Sequence, residues 1–398
     1  MNNLRSRIRR EGTLFGGYAG RLLVVVATCS LLTVGGQTVF APLLPAIIDD
    51  LGITSSQAGF ALSTMTALSA VCRYPGGRVA DQLSRKTVIV AAIGSMIVGL
   101  VILTTTTDYG RFLVGTAAVG IGAGLYLPSA FALLSDLFEN RRGEAIGLNN
   151  AAVNLGGILA AGLAVAVLAR TAWRAAFVPF VVLFLVVAAL LHRWNDERYV
   201  VSRVTLSPRS TARRLFSQSR IRWMLVSAGL VMFVQRGAIA FVPLFLRTEK
   251  SFAPTLAAGT YAGFYLVGMV ASPAMGRLGD RIGHASVTVR ATFIATVGLL
   301  VMLLGRGQIP VVLGVLLFAL GMTGFWPGMN AYVLALFPDD SMGGDFGALG
   351  TVYLGVGSLG PAYVGLVAER TTYLVAFLSL LLPLIASTVL GRWLSTHS

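Results

Sequence analysis

The chain has 398 residues, 56% of them hydrophobic and only 12% charged. A soluble domain is about one quarter charged, so a water-soluble globule is excluded and a polytopic membrane protein is indicated. The net charge of +15 does not point to nucleic acid, because the surplus sits in short turns between apolar runs, as positive-inside bias requires.

The basic start, MNNLRSRIRR, leads into an apolar run after Arg21. That run is too long for a signal-peptide core and has no small-residue cleavage site nearby, so it is predicted to stay as a first spanning helix. A bilayer core needs about 20 apolar residues per helix. Runs of that kind fall at 22–47, 56–75, 87–106, 110–135, 145–168, 174–192, 223–246, 254–275, 285–304, 309–336, 343–367 and 371–393. The one long polar interruption is the arginine-rich stretch 193–222, which splits the chain into an N-terminal six-helix bundle (1–192), a basic linker (193–222) and a C-terminal six-helix bundle (223–398). Cys29 and Cys72 both lie inside apolar runs, so no structural disulfide is expected.

Lys and Arg set the orientation. With the N-terminus inside, 22 of them fall on cytoplasmic segments, the linker included, and 6 on the opposite face (Arg170, Arg174, Arg247, Lys250, Arg306 and Arg370). The bias predicts both termini in the cytoplasm of a multi-pass protein of the inner (plasma) membrane.

Two phrases match across the chain: PGGRVADQLSRK from Pro75 and GRLGDRIGH from Gly276. Gly77 and Gly276 are 199 residues apart, as are Asp81 and Asp280, Pro128 and Pro327, and Phe138 and Phe337. One offset across four landmarks indicates an internal duplication, the sign of a transporter built from parallel repeats. The predicted fold class is therefore an all-α polytopic membrane protein, with twelve transmembrane helices in two pseudo-symmetric six-helix bundles.

Twelve helices, a central linker and the phrase between the second and third helices together resemble the major facilitator superfamily over nearly the whole chain. The family's loop signature is matched by Gly77, Asp81, Arg85 and Lys86, with Gln82 and Ser84 departing from it. The second copy keeps Gly276, Asp280, Arg281 and Gly283. The resemblance implies that this loop is a conformational latch, with Asp81 facing the start of helix 11 and Asp280 the start of helix 5. A carboxylate is favoured there by the helix macrodipole. Arg85 and Lys86 would pair with acids near those ends, such as Asp339, Asp340 or Glu144. A second signature, an arginine in helix 4 often tied to proton coupling, is absent or displaced: Thr116 stands at its position, with Arg111 five residues earlier.

An ionisable residue inside a spanning helix is a functional-site candidate by default. Arg236, bracketed by Arg222 and Arg247, lies close to the midplane of helix 7. Its partner at the repeat offset is Gln37 of helix 1, and the resemblance implies that these two helices line a central cavity. A guanidinium facing an amide is a seat for a carboxylate or another planar oxyanion. Further candidates are Gln235, Tyr126, Asn150, Asn154, Tyr261, Tyr265, Trp326 and Asn330. Asn149, Tyr332 and the inner-gate group Arg73, Tyr74 and Pro75 complete the set, Arg73 having the alternative of reaching for lipid headgroups. Each amide could instead bond between helices.

No acid lies near mid-membrane, and no histidine does. A cavity with one fixed positive charge and no titratable acid favours an anion, moved by exchange, by facilitated transport, or with a proton beside it. No nucleophile–base pair, metal cluster or phosphate loop is present, so an enzyme, a cofactor and a metal are not expected. The function expected is a secondary transporter, working as a monomer in a lipid bilayer by alternating access. It would move a small organic anion anchored by Arg236, with room for a coupling ion. The alternative is proton-driven efflux of drugs or amphipathic compounds, and a non-transporting receptor on the same fold is a third reading.

Overall fold

The computed structural model describes residues 14–82, 84–138, 141–200, 216, 218–334 and 342–396. Twelve helices follow one another: α1 (Gly17–Leu51), α2 (Ser55–Gln82), α3 (Arg85–Thr104), α4 (Tyr109–Leu137), α5 (Arg142–Leu168), α6 (Trp173–Trp194), α7 (Ser219–Thr248), α8 (Pro254–Ile282), α9 (His284–Leu304) and α10 (Gln308–Leu334). The last two, like α1 (Gly17–Thr38 and Phe40–Leu51), are each in two pieces, α11 (Met342–Gly357 and Leu359–Arg370) and α12 (Tyr373–Ser379 and Leu381–Thr396). Asp339, Asp340 and most of the basic linker lie outside the described residues, as does the side chain of Asp81.

Local chemistry places the ends. Ser84, Asp108 and Thr372 each cap a helix by accepting from the backbone N–H three residues on, at the starts of α3, α4 and α12. Gly52 ends α1 in the left-handed region (φ 59°), which lets the chain turn back into α2.

Eleven of the helices are long and apolar enough to span a membrane; α2 is not. The reason is compositional. Its first half, SSQAGFALSTMTALSA, is rich in Ser, Thr and Ala, which reads as an apolar run only loosely. Those small residues do not face lipid. A Cβ on Gly59 would lie 2.4 Å from the Pro361 carbonyl oxygen of α11, and one on Gly365 would lie 2.3 Å from the Ser55 carbonyl oxygen. Ser63 Oγ accepts from the Ala362 N–H at 2.8 Å, and Glu369 accepts from the Ser56 N–H at 2.9 Å. Lipid tails give helices no hydrophobic reason to associate, so small residues that admit a neighbouring backbone supply the contact.

The duplication is visible in packing. Gly99 of α3 meets Val119 of α4, where a Cβ would be 2.8 Å from the backbone nitrogen; Gly298 of α9 meets Phe318 of α10 in the same way at 2.2 Å. Gly122 lies on the Ala92 carbonyl and Gly321 on the Ala291 carbonyl, and the signature glycines Gly77 and Gly276 lie on Pro128 and Pro327. Every pair keeps the 199-residue offset.

The halves meet along α1–α7, α2–α11 and α5–α8. They close on the face away from the chain ends, through the Ser55, Ser56 and Ser63 contacts. Toward the face carrying the chain ends they part: on α5 the side that packs α8 at Gly157 continues through Asn150, Gly147 and Gly143, all exposed. At Gly147 and Gly143 an added Cβ would meet nothing within 4 Å.

Candidate solute site

Arg236 stands near the middle of α7, half-buried, with no hydrogen-bond acceptor and no acid beside it among the described residues. Tyr265, Arg73, Tyr261 and Tyr353 lie within its electrostatic reach, so the site draws on α2, α7, α8 and α11. A guanidinium is never deprotonated in such a place, and its five donors point to a ligand that brings its own acceptors.

On one side of the site stands a tyrosine ladder. Tyr261 and Tyr265, one helical turn apart on α8, are 3.2 Å apart at their hydroxyls and meet edge to face. Tyr261 donates to the Thr38 carbonyl of α1 at 3.1 Å. That carbonyl is free because the residue four further on is Pro42, which has no N–H to give it. Gln37, next to Thr38, is half-buried at the same level of α1. The Tyr265 ring lies flat on Gly157 of α5, where a Cβ would be 2.5 Å from the ring. Asn154, one turn away, donates to the Asn150 carbonyl at 3.0 Å and sits 3.1 Å from the Cβ position of Gly268.

On the other side the indole of Trp326 (α10) donates to Gln235 Oε1 at 3.0 Å and tilts against Tyr353 (α11), with 5.1 Å between ring centres. Indole is donor only, so the Gln235 oxygen is the atom held and its NH₂ is left outward. Asn330, one turn beyond Trp326, has a buried carbonyl oxygen with no partner among the described residues, and so does the hydroxyl of Tyr332.

Other predicted residues lie elsewhere. Tyr126 is sealed in the core of the first half, its hydroxyl donating to the Val26 carbonyl at 2.6 Å; in this conformation it offers nothing to a solute. Asn149 is wholly buried beside it and accepts from Ser30 Oγ at 2.7 Å. Asn150 is exposed on the open side.

The latch residues divide. The Lys86 amine, 5% exposed, donates to the carbonyls of His192 (3.0 Å) and Asn195 (2.6 Å) at the end of α6. Among the described residues Lys86 does not pair with an acid across the interface; its amine instead holds helix-end carbonyls within its own half, which a cation favours. Arg85 pairs with Asp136 at 3.3 Å, also within its own half, and Glu144 pairs with Arg141. Asp280 is exposed, 3.9 Å from His284, and Arg281 is exposed at the end of α8.

Two residues at the site were not among the predicted contacts. A place near the end of the second apolar run suggests a gate or a headgroup anchor for Arg73, yet a charge inside such a run is itself the signal of a site. Tyr353 was hidden among the glycines of GTVYLGVG.

The model described as the Major Facilitator Superfamily matches residues 26–361 and 224–397. A multidrug resistance protein, MdtL, of Citrobacter koseri is 27% identical over 243 residues, 60% of this chain and 62% of that protein. The match thus spans less than two thirds of that relative's length. A probable 4-methylmuconolactone transporter of Cupriavidus pinatubonensis is 25% identical over 368 residues, covering 85% and 83%. Among solved structures, a bacterial homolog of the human lysosomal transporter Spinster, in an inward-facing and occupied conformation, superposes with a TM-score of 0.82 at 18% identity, covering 96% of this chain and 98% of that one.

Proposed function

We infer that this chain, which belongs to the major facilitator superfamily, moves a small organic anion across the bilayer by alternating access, with Arg236 as its anchor. The observation that carries this is a guanidinium at the centre of α7 with three phenols within its electrostatic reach and, among the described residues, no acceptor or carboxylate beside it. A fixed charge at that depth costs about 2.5–3.5 kcal/mol on insertion scales, which an anionic ligand would offset. Gln37, Gln235, Asn154, Asn330 and the Tyr261–Tyr265 pair supply further polar contacts, and Trp326 an aromatic wall. With the termini cytoplasmic, the open side faces the cytoplasm, and closing it around the solute would precede release at the other face. The absence of a mid-membrane acid among the described residues favours exchange or co-transport of a proton with the solute.

The test is uptake into proteoliposomes of mono- and dicarboxylates, sugar acids, neutral sugars and cationic dyes, by the natural protein and by Arg236→Gln. Uptake of an anion class that the variant loses while its thermal unfolding is unchanged supports the reading. Anion uptake retained in the variant overturns it. A second reading is efflux of amphipathic drugs, favoured by relatives named as multidrug resistance proteins and by the Trp326, Tyr353 and Tyr265 rings. Dye transport indifferent to Arg236→Gln would put that reading first.

A further inference from the structure

We propose that the solute is an organic dianion, a dicarboxylate whose two ends are taken by Arg236 of the second half and Arg73 of the first; this rests on the anion reading above. Arg73 lies in the half of α2 nearer the open side. It is half-buried, and among the described residues it has neither an acid nor a hydrogen-bond acceptor.

Its guanidinium reaches across the interface. A methyl group at Gly350 of α11 would be 3.5 Å from Arg73 Nη1 and 3.6 Å from the Tyr353 hydroxyl. Arg73 therefore comes to the edge of the aromatic pair formed by Tyr353 and Trp326, whose other edge holds Gln235, the neighbour of Arg236. Arg236 in turn feels the like charge of Arg73. Asp136, at the inner end of α4, is committed to Arg85.

Two like charges in a partly desolvated place, with no counter-charge beside them among the described residues, repel more strongly than they would in water. One carboxylate ends the mutual repulsion but leaves the other guanidinium desolvated and without a counter-charge; a second carboxylate compensates that one too. Tyr353 lies within reach of both guanidiniums and packs on Trp326, so a ligand that satisfies both passes an aromatic wall and carries its charges at the ends of an apolar body. A compact dianion such as hydrogen phosphate would leave the rings facing nothing. A dicarboxylate would also hold Arg73 of one half to Arg236 of the other, drawing together the side that stands open.

The experiment is equilibrium binding to purified protein of succinate, glutarate and adipate, each against the monoanion of equal carbon number (butyrate, pentanoate, hexanoate), with hydrogen phosphate as a further probe. At least one dianion should bind about tenfold or more tightly than its monoanion, the worth of one charge-assisted contact pair. Arg73→Gln should cut that ratio about tenfold, and Arg73→Lys, which keeps the charge, should cut it less. A natural-protein ratio below about three overturns the proposal without needing any variant to fold. So does a ratio unchanged in Arg73→Gln, or hydrogen phosphate binding ahead of every dicarboxylate. Monoanions that bind and depend on Arg236 without dianion preference would sink this proposal and leave the anion reading standing. Binding of no carboxylate at all would sink both.

Discussion

The hydroxyl of Tyr261 on α8 donates to the carbonyl of Thr38 on α1, joining the two halves of the molecule through a backbone oxygen that Pro42 leaves without a helical partner. In this conformation the halves are closed on the side away from the chain ends, and the bond spans them there. Tyr261→Phe strands that carbonyl and should weaken the closed state by about 1 kcal/mol, a several-fold shift in population. Spin-label distances between the outer ends of α1 and α7 should lengthen on average, with unfolding temperature little changed. An unchanged distance distribution would mean that the bond is incidental.

Glycines within a half and between halves should respond differently to the same methyl group. A Cβ on Gly298 would be 2.2 Å from the Phe318 nitrogen, inside the permanent α9–α10 contact. Gly298→Ala should therefore cost about 1–3 kcal/mol of overpacking and lower the unfolding temperature. At Gly59 the clash is with the Pro361 carbonyl of the other half, at 2.4 Å, and the halves can part to avoid it. Gly59→Ala should unfold near the natural temperature yet transport at least about tenfold more slowly, since one of its two conformations is blocked. Equal unfolding temperatures for the two variants would contradict this division.

The sequence made the architecture legible because its signals are one-dimensional. Apolar length marks a helix, and the 199-residue offset linking Gly77 to Gly276 and Pro128 to Pro327 returns as equivalent packing in the two halves. The same argument faltered at α2, where Ser55, Gly59 and Ser63 serve a helix partner rather than lipid, so hydropathy understates the span. At the site, helical spacing was sufficient to join Tyr261 to Tyr265. It could not separate Asn154, at the α5–α8 seam, from Asn149, buried in the first half, since the two lie on neighbouring turns and differ only in which helix they face. Arg73 and Tyr353 come together across the interface, a relation no local pattern encodes.

Lys86 separates a structural from a gating role for the signature loop. Its amine holds two carbonyls at the end of α6 and lies 4.9 Å from the centre of the Tyr199 ring. Lys86→Met leaves those carbonyls unpaired and should cost about 1.5–3 kcal/mol, read as a lower unfolding temperature. Transport per folded molecule, measured well below that temperature, should stay within about twofold of natural. A loss of transport with unfolding temperature unchanged would restore the interdomain latch to Lys86.

Trp326 sets which end of the Gln235 amide faces the solute. Its indole N–H can only donate, so it fixes the Gln235 oxygen at 3.0 Å and leaves the NH₂ group as the end of the amide still able to donate. Trp326→Phe keeps an aromatic ring against Tyr353 but frees the amide to rotate, so that its oxygen faces an anion half of the time. For an anionic solute the apparent KM should rise about three- to tenfold with kcat little changed, because what is lost is a ground-state contact. Gln235→Glu should be far worse, since it sets a carboxylate beside Arg236 and supplies internally the charge that the solute would bring. If Trp326→Phe leaves KM unaltered while Gln235→Glu abolishes transport, the amide orientation is immaterial and only the net charge of the pair matters.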